Sequence, residues 1–239
     1  MARTILVTGA SSGIGHAISK DLLATGHSVV GVARDFGKSP CNHPHFSSIS
    51  LDLGNLDTLP QELPKLVGQC HAVDALICNA GQGRFGNLEQ FSYTQIRALM
   101  DLNFTSHAFL VRAFLPQFKK ASRGDIIFTG SEAALQGAQK GTIYCASKFA
   151  LRGFAQALRQ ECGRNNIRVA LVNPGMVDTP FFDDLDFAPG TEPDQHIAPA
   201  DVAQAVALIL ATRQGTVIDE INLSPQKNVI DFKPDKQGR

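Results

Sequence analysis

The sequence predicts an α/β fold, with a parallel sheet covered by helices on both faces. Short apolar runs alternate along the chain with longer amphipathic ones, the pattern of strands separated by crossover helices. The short runs are almost continuously apolar, as strands buried on both faces require. A cluster of glycines directly follows the first short run. In such sheets ligands sit beyond the carboxyl ends of the strands.

The elements follow in order. "TILVT" (4–8) is a strand, and "GIGHAISKDLLATG" (13–26) is a helix that Gly26 closes. "SVVGVA" (28–33) is the second strand, and the serine-interrupted "FSSISLD" (46–52) is a weaker one. "VDALICNAG" (73–81) reads as strand then turn. Residues 92–121 form a long helical stretch that Pro116, with no N–H to donate, is expected to bend or divide. "DIIFTGS" (125–131) is a strand, 142–163 a long helix, and "IRVALVNPG" (167–175) a strand and turn. "PADVAQAVALILA" (199–211) is a helix and "EINLS" (220–224) a last strand, after which the polar tail "KPDKQGR" is expected to fray.

With 239 residues, 44% of them apolar, the chain is expected to build one domain spanning 1–239 around one core. Its 22 basic and 22 acidic residues balance. That balance argues against nucleic acid or an anionic membrane as the main partner. The five cysteines, at 41, 70, 78, 145 and 162, form no C-x-x-C pair, which suits a reduced chain better than a disulfide framework or a zinc site. "MARTILVTGA" is too short an apolar run for a signal segment or a membrane span. The expected location is the cytoplasm.

"VTGASSGIG" (7–15) leaves the first strand and opens the first helix. Gly9, Gly13 and Gly15 allow dihedrals that a side chain forbids, and they let the backbone approach a pyrophosphate at a helix N-terminus. The spacing is G-x-x-x-G-x-G, and its place after the first strand points to a dinucleotide. At the end of the second strand, Ala33 occupies the position where a carboxylate would accept from a ribose 2′-hydroxyl, and Arg34 follows. A guanidinium grips a 2′-phosphate bidentately, so NADP(H) is expected over NAD(H). Asp35 has two readings: a partner for Arg34, or an acceptor for a ribose hydroxyl.

"YCASK" (144–148) carries the chemistry. Tyr144 and Lys148 lie one helical turn apart and rise from the same face. A free phenol, with a pKa of about 10, is a poor base at neutral pH. A neighbouring ammonium lowers that value, so Lys148 is expected to tune Tyr144 as a proton donor and acceptor. Ser131, at the end of the preceding strand, is placed to hold a substrate oxygen as charge develops on it.

Taken together, these motifs resemble the short-chain dehydrogenase/reductase family over nearly the whole chain. "TGASSGIG" (8–15), with Ser11, Ser12 and Ile14 beside the glycines, resembles the family's cofactor turn. "LDL" (51–53) resembles its adenine-side segment, with Asp52 near the adenine amine and Leu53 beside it. Asn79, Ala80 and Gly81 resemble the motif that steadies the central sheet, although Cys78 stands where many members carry a further Asn. "NPG" (173–175) resembles the nicotinamide-side segment, bringing Pro174, Gly175, Val177 and Thr179 to the cofactor. The resemblance implies a three-layer Rossmann-like sandwich, a homodimer or homotetramer, and reversible hydride transfer between a nicotinamide and a carbonyl or secondary alcohol. It makes Tyr144 the general acid/base, Ser131 the polarising hydroxyl, Lys148 the residue that tunes Tyr144 and binds the ribose, and Asn103 the support of a relay water. Read without it, Asn103 is equally a polar residue bonded to backbone inside a helix.

The segment 176–201 is expected to form a lid, because Pro and Gly interrupt any helix there. It is acidic, with no Lys or Arg, and Phe181, Phe182 and Phe187, with Met176, are candidates for an apolar wall. An acidic lid repels anionic acyl carriers unless its carboxylates face outward. Arg84 and Phe85 follow the "NAG" turn as further pocket residues, Arg84 as a site for a substrate carboxylate. Glu132, directly after Ser131, stands where the family often has a small or hydroxyl residue; it either points to solvent or biases the site toward a cationic substrate. The expected substrate is a small 3-hydroxy acid, semialdehyde, ketone or aldehyde. Two alternatives stand beside it: a 3-oxoacyl-carrier reductase, and a non-catalytic NADP-binding sensor. A sugar-nucleotide epimerase would need a larger C-terminal region than follows Gly175.

Overall fold

A computed structural model describes residues 2–37 and 41–233. Of the tail 233–239 expected to fray, Lys233 is instead tied by its ammonium to the Phe182 and Asp183 carbonyls, and 234–239 lie outside the described residues. Seven strands form one parallel sheet in the order β3-β2-β1-β4-β5-β6-β8. They are β1 (Thr4–Thr8), β2 (Ser28–Ala33), β3 (Phe46–Ser50), β4 (Ala75–Cys78), β5 (Gly124–Thr129), β6 (Ile167–Pro174) and β8 (Glu220–Leu223). The strand order reverses direction between β1 and β4. Parallel strands need long crossovers, and helices on both faces supply them.

Alternating strand residues serve two cores, since successive side chains point to opposite faces. Leu6, Leu76, Cys78, Ile126, Phe128, Val169 and Leu171 meet α2 (Leu59–Gln69), α4 (Ser106–Ala121) and α5 (Thr142–Cys162). Ile5, Val7, Ala75, Ile77, Ile127, Ala170 and Val172 meet α1 (Gly13–Ala24) and α6 (Pro199–Ala211). Cys78 is fully buried in the first core, and burial pushes its thiol far above the ordinary range. It packs as a small apolar residue. All five cysteines are free. At the amino ends of the strands the buried Asp125 pairs with Arg3 at 2.7 Å and Arg168 at 2.5 Å. Its charge is compensated there, far along the strands from the ligand edge.

The structure differs from expectation in three places. Pro116 sits inside α4 without dividing it. It lies on the exposed face with Arg112, whose carbonyl would have taken the missing N–H. A solvent-facing carbonyl bonds water instead. The long stretch is interrupted earlier, where α3 (Tyr93–Met100) passes into a π-helical turn at Asp101–Thr105 before α4. Next, residues 59–69, to which the sequence reading assigns no element, form α2 with Pro60 and Pro64 inside it. Pro60 falls in the first turn, where no N–H is needed. Finally, β7 (Phe187–Pro189) and β9 (Ile230–Phe232) form a separate antiparallel pair over the carboxyl edge of the sheet.

Candidate active site

The first β–α turn is built as a cradle. Gly9 and Gly13 have φ of +67° and +51°, which side chains rarely adopt. At Gly15 the reason is space: a Cβ would lie 2.2 Å from the Gly9 carbonyl oxygen. Thr179, from the lid, approaches the place where a Cβ on Gly13 would stand, at 3.3 Å. The Thr179 side chain therefore stands against the glycine turn at the N-terminus of α1, a setting that suits an anionic group.

The next two strand ends flank it. Arg34 is exposed and makes no ion pair among the described residues. Asp35 is engaged elsewhere, with its Oδ1 accepting from the Gly37 N–H at 2.7 Å. Of the two readings of Asp35, pairing with Arg34 is not what the structure contains. Asp52 is exposed, with its Oδ1 accepting from the Gly54 N–H at 2.9 Å, and Leu53 is buried beside it.

The Asn79–Gly81 turn is tied to β1. Thr8 Oγ accepts from the N–H groups of Asn79 at 2.8 Å and Ala80 at 3.0 Å, and Asn79 Nδ2 donates to the Thr8 carbonyl at 3.1 Å. These bonds lock β1 to β4 where the strand order reverses. Asn103, fully buried in the π-helical turn, ties the following loop to α5. Its Oδ1 accepts from Gln82 N, and its Nδ2 donates to Gln82 O at 3.0 Å and to Ser147 Oγ at 3.1 Å. Ser147 Oγ in turn donates to the Tyr144 carbonyl at 2.7 Å. A Cβ on Gly81 would lie 3.2 Å from Asn103 Oδ1 and 3.8 Å from Lys148 Nζ, so the two side chains converge there.

Tyr144, Lys148 and Ser131 come together as their spacing suggested. All three are buried. Lys148 Nζ lies 5.8 Å from the Tyr144 ring centroid and donates to the Thr129 carbonyl at 3.0 Å. Burial holds the Lys148 ammonium down at about 8. The electrostatics of Tyr144 differ from expectation. Burial pushes the phenol up to about 12, against a hydrogen bond with the Ser131 side chain that pulls it down; the charges near Cys145 and Glu132 add to the rise. Lys148 was expected to lower this value, but it is not among the causes that shift the phenol, of which burial is the largest. At neutral pH Tyr144 holds its proton.

Around the phenol stands an aromatic wall. Phe85 lies 5.1 Å from Tyr144 and 5.0 Å from Phe187, and Phe181 lies 6.0 Å from Tyr144 and 5.1 Å from Phe182. Phe182 closes the circuit to Phe187 at 5.8 Å. Arg84 does not join this wall; it is exposed and forms no ion pair among the described residues. The lid carboxylates of Asp178, Asp183, Asp184 and Asp186 belong to exposed residues, which removes the electrostatic objection to an anionic carrier. The Pro174–Gly175 turn ends β6, and Val177 bridges to Ile197 across the base of the lid. Lys233 fastens the lid from outside, its ammonium bonding to the Phe182 and Asp183 carbonyls.

Ser147 and Thr8 are parts of this machinery that the sequence reading left without a role. Both are short hydroxyl side chains whose partners arrive from distant segments, so no local pattern marks them. A groove of about 610 Å³ between α5 and β8 lies elsewhere and gathers none of the proton-transfer groups.

Comparison with known proteins places this geometry. A family profile described as short chain dehydrogenase matches residues 3–188. Retinol dehydrogenase 8 of Bos taurus is 35% identical over 211 residues, covering 80% of the chain and 66% of that protein. 3-Ketodihydrosphingosine reductase of Bacteroides thetaiotaomicron is 35% identical over 179 residues, covering 75% and 65%. The chain thus spans just under two thirds of the length of these two relatives. Among solved structures, a metagenomic short-chain oxidoreductase in complex with NADP is 31% identical with a TM-score of 0.78, over 93% of this chain and 96% of that one.

Proposed function

Since the chain belongs to the short-chain dehydrogenase family, we propose that it is an NADP(H)-dependent oxidoreductase interconverting a carbonyl and a secondary alcohol on a small, largely apolar substrate. The single observation that carries this is the buried meeting of Tyr144, Lys148 and Ser131 inside the aromatic wall. The glycine cradle, with Thr179 opposite Gly13, suits the pyrophosphate. Arg34, free of Asp35, suits the 2′-phosphate and supports NADP(H) over NAD(H). NADP(H), when bound, supplies or takes up the hydride.

The chain's own residues manage the proton and the orientation. Ser131 donates a hydrogen bond to the substrate oxygen. Tyr144, protonated at neutral pH, gives its phenolic proton to that oxygen during reduction and takes it back during oxidation. Lys148, held by the Thr129 carbonyl, puts its positive charge beside the phenol as phenolate develops. Asn103 fixes the Gln82 loop to α5 and so holds both sides of the relay in register. Phe85, Phe181 and Phe187 exclude water and take the apolar body of the substrate. The similarity to proteins named for retinol and 3-ketodihydrosphingosine supports an apolar body. The protein works as a homodimer or homotetramer, one domain per subunit. Among the described residues no helix is long and apolar enough to cross a membrane.

The test is turnover. Medium-chain ketones and aldehydes, semialdehydes and 3-hydroxy acids are offered with NADPH or NADP⁺, and nicotinamide absorbance is followed. Oxidation or reduction of the apolar members is expected. NADPH binding with no turnover across the panel would refute the oxidoreductase reading and favour a sensor.

A further inference from the structure

Gly83 lies just past the Asn79–Gly81 turn, and a side chain has no room there. A Cβ on Gly83 would stand 2.4 Å from Phe181 Cζ, 2.8 Å from Phe181 Cε1 and 3.1 Å from Phe85 Cε2. Carbon atoms pack at about 3.5–4.0 Å, so all three contacts are too close. Two rings thus close over one backbone position, Phe181 from the lid and Phe85 from the loop after β4. The same two rings flank the phenol, Phe85 at 5.1 Å and Phe181 at 6.0 Å from Tyr144. The backbone on either side is held. Asn103 bonds both the N–H and the carbonyl of Gln82, and the Gly86 N–H donates to the Lys140 carbonyl at 2.8 Å. In the lid the Phe181 N–H donates to Thr179 Oγ at 3.4 Å, and Lys233 holds the Phe182 carbonyl. A side chain at position 83 therefore moves rings, not backbone. Cζ and Cε1 are the far end of the Phe181 side chain, which swings on its own torsions.

We propose that Gly83 is a specificity-determining residue: its missing side chain lets Phe181 meet Phe85, and that closure gives the site its grip on an alkyl chain extending beyond the reacting carbon. This rests on the oxidoreductase reading above. The proton-transfer groups are held independently of position 83, Lys148 by the Thr129 carbonyl and Tyr144 within α5. A methyl at position 83 therefore acts on the apolar body of the substrate and not on the proton. Its effect falls on KM for a long-chain substrate, while a short one, which reaches no further than the reacting carbon and its neighbours, is handled as before.

The experiment compares 2-octanone with 2-butanone, each with NADPH, for the wild type, Gly83→Ala, Phe181→Ala and the double variant. The wild type is expected to favour 2-octanone in kcat/KM. Gly83→Ala is expected to lower that preference about tenfold, the discrimination a hydrophobic pocket draws from a methylene, through KM for 2-octanone. Phe181→Ala should lower it by a similar factor, and the double variant no further, since the added methyl then has no Phe181 ring to displace. A wild type without the preference, a Gly83→Ala that keeps it, an equal loss on both ketones, or a double variant in which the two effects multiply overturns the proposal. If Gly83→Ala does not fold, Phe181→Leu is compared with and without it, because leucine lacks the two ring atoms that meet the methyl. Equal preferences then support the proposal, and a further loss overturns it. Calorimetric binding of 2-octanol and 2-butanol to the NADP⁺ complex separates the two readings. A preference for 2-octanol that Gly83→Ala removes, without turnover of any of these compounds, supports this inference and counts against the oxidoreductase reading. A binding preference that Gly83→Ala leaves intact overturns the inference.

Discussion

Tyr144→Phe removes one oxygen and leaves the ring. The wall depends on the ring, which packs 5.1 Å from Phe85 and 6.0 Å from Phe181. Those contacts survive the change. What the fold loses is at most one hydrogen bond of the phenolic oxygen, worth about 1 kcal/mol net. For a chain of this size that lowers Tm by roughly 2–4 °C. The lost oxygen also no longer needs to be kept dry, which offsets part of the loss. Catalysis should respond on another scale. Removing a general acid that sits at the reacting oxygen costs a hundred- to ten-thousandfold, about 3–5 kcal/mol of barrier. NADPH binding, for which the proposed contacts are the glycine cradle, Arg34 and Lys148, should change by less than about threefold, within the range of a contact that is not broken. The assay pairs a melting curve, an NADPH fluorescence titration and steady-state reduction of a medium-chain ketone. Turnover within about tenfold of wild type, in a variant that melts normally and binds NADPH, would refute the assignment of the proton to Tyr144.

Other outcomes follow from the same geometry. Arg34→Ala should weaken NADPH by about tenfold or more and leave NADH nearly unchanged, since one guanidinium–phosphate contact is lost; equal effects on both cofactors in a fluorescence titration would remove the 2′-phosphate role. Gly15→Ala places a Cβ 2.2 Å from the Gly9 carbonyl oxygen; it should distort the cradle, abolish NADPH binding, and lower Tm even without cofactor. His107 is fully buried beside Ala80 and is held down at about 4, first by burial and then by the Lys148 charge, against its bond to the Ala80 carbonyl. A depressed value means stability that is present above pH 6.5 and is lost as pH falls toward 4, amounting to about 3 kcal/mol. Denaturant midpoints in that window should fall for the wild type and stay flatter for His107→Gln.

Much of the fold was legible because it rests on local pattern. The central strand runs are almost continuously apolar, and α6 appears at 199–211 as its periodicity indicated. Two helices, α2 and α4, show where local pattern stops. The sequence reading assigns no element to α2, although Pro60 falls in the first turn, where no N–H is needed, and the apolar face of Leu59, Leu63 and Leu66 meets the core. Pro116 was expected to bend or divide the helical stretch, yet it sits inside α4 on an exposed face with Arg112. In both cases burial on one face decided, and burial belongs to the assembled molecule.

The sequence by itself determined the sheet, the glycine cradle, and the presence of Tyr144 and Lys148 on one face of a helix. These depend on neighbours within a turn or two of the chain. The tertiary structure decided what those residues are. Burial, in a site where Phe85 and Phe181 stand beside the ring, drives the phenol upward. The π-helical turn brings Asn103 to Gln82 and Ser147, the lid exposes its carboxylates, and the strand at Ile230–Phe232 closes over Phe187. Each of these joins residues far apart in the chain, and the low-dielectric site they enclose fixes the protonation of its groups only once they have met.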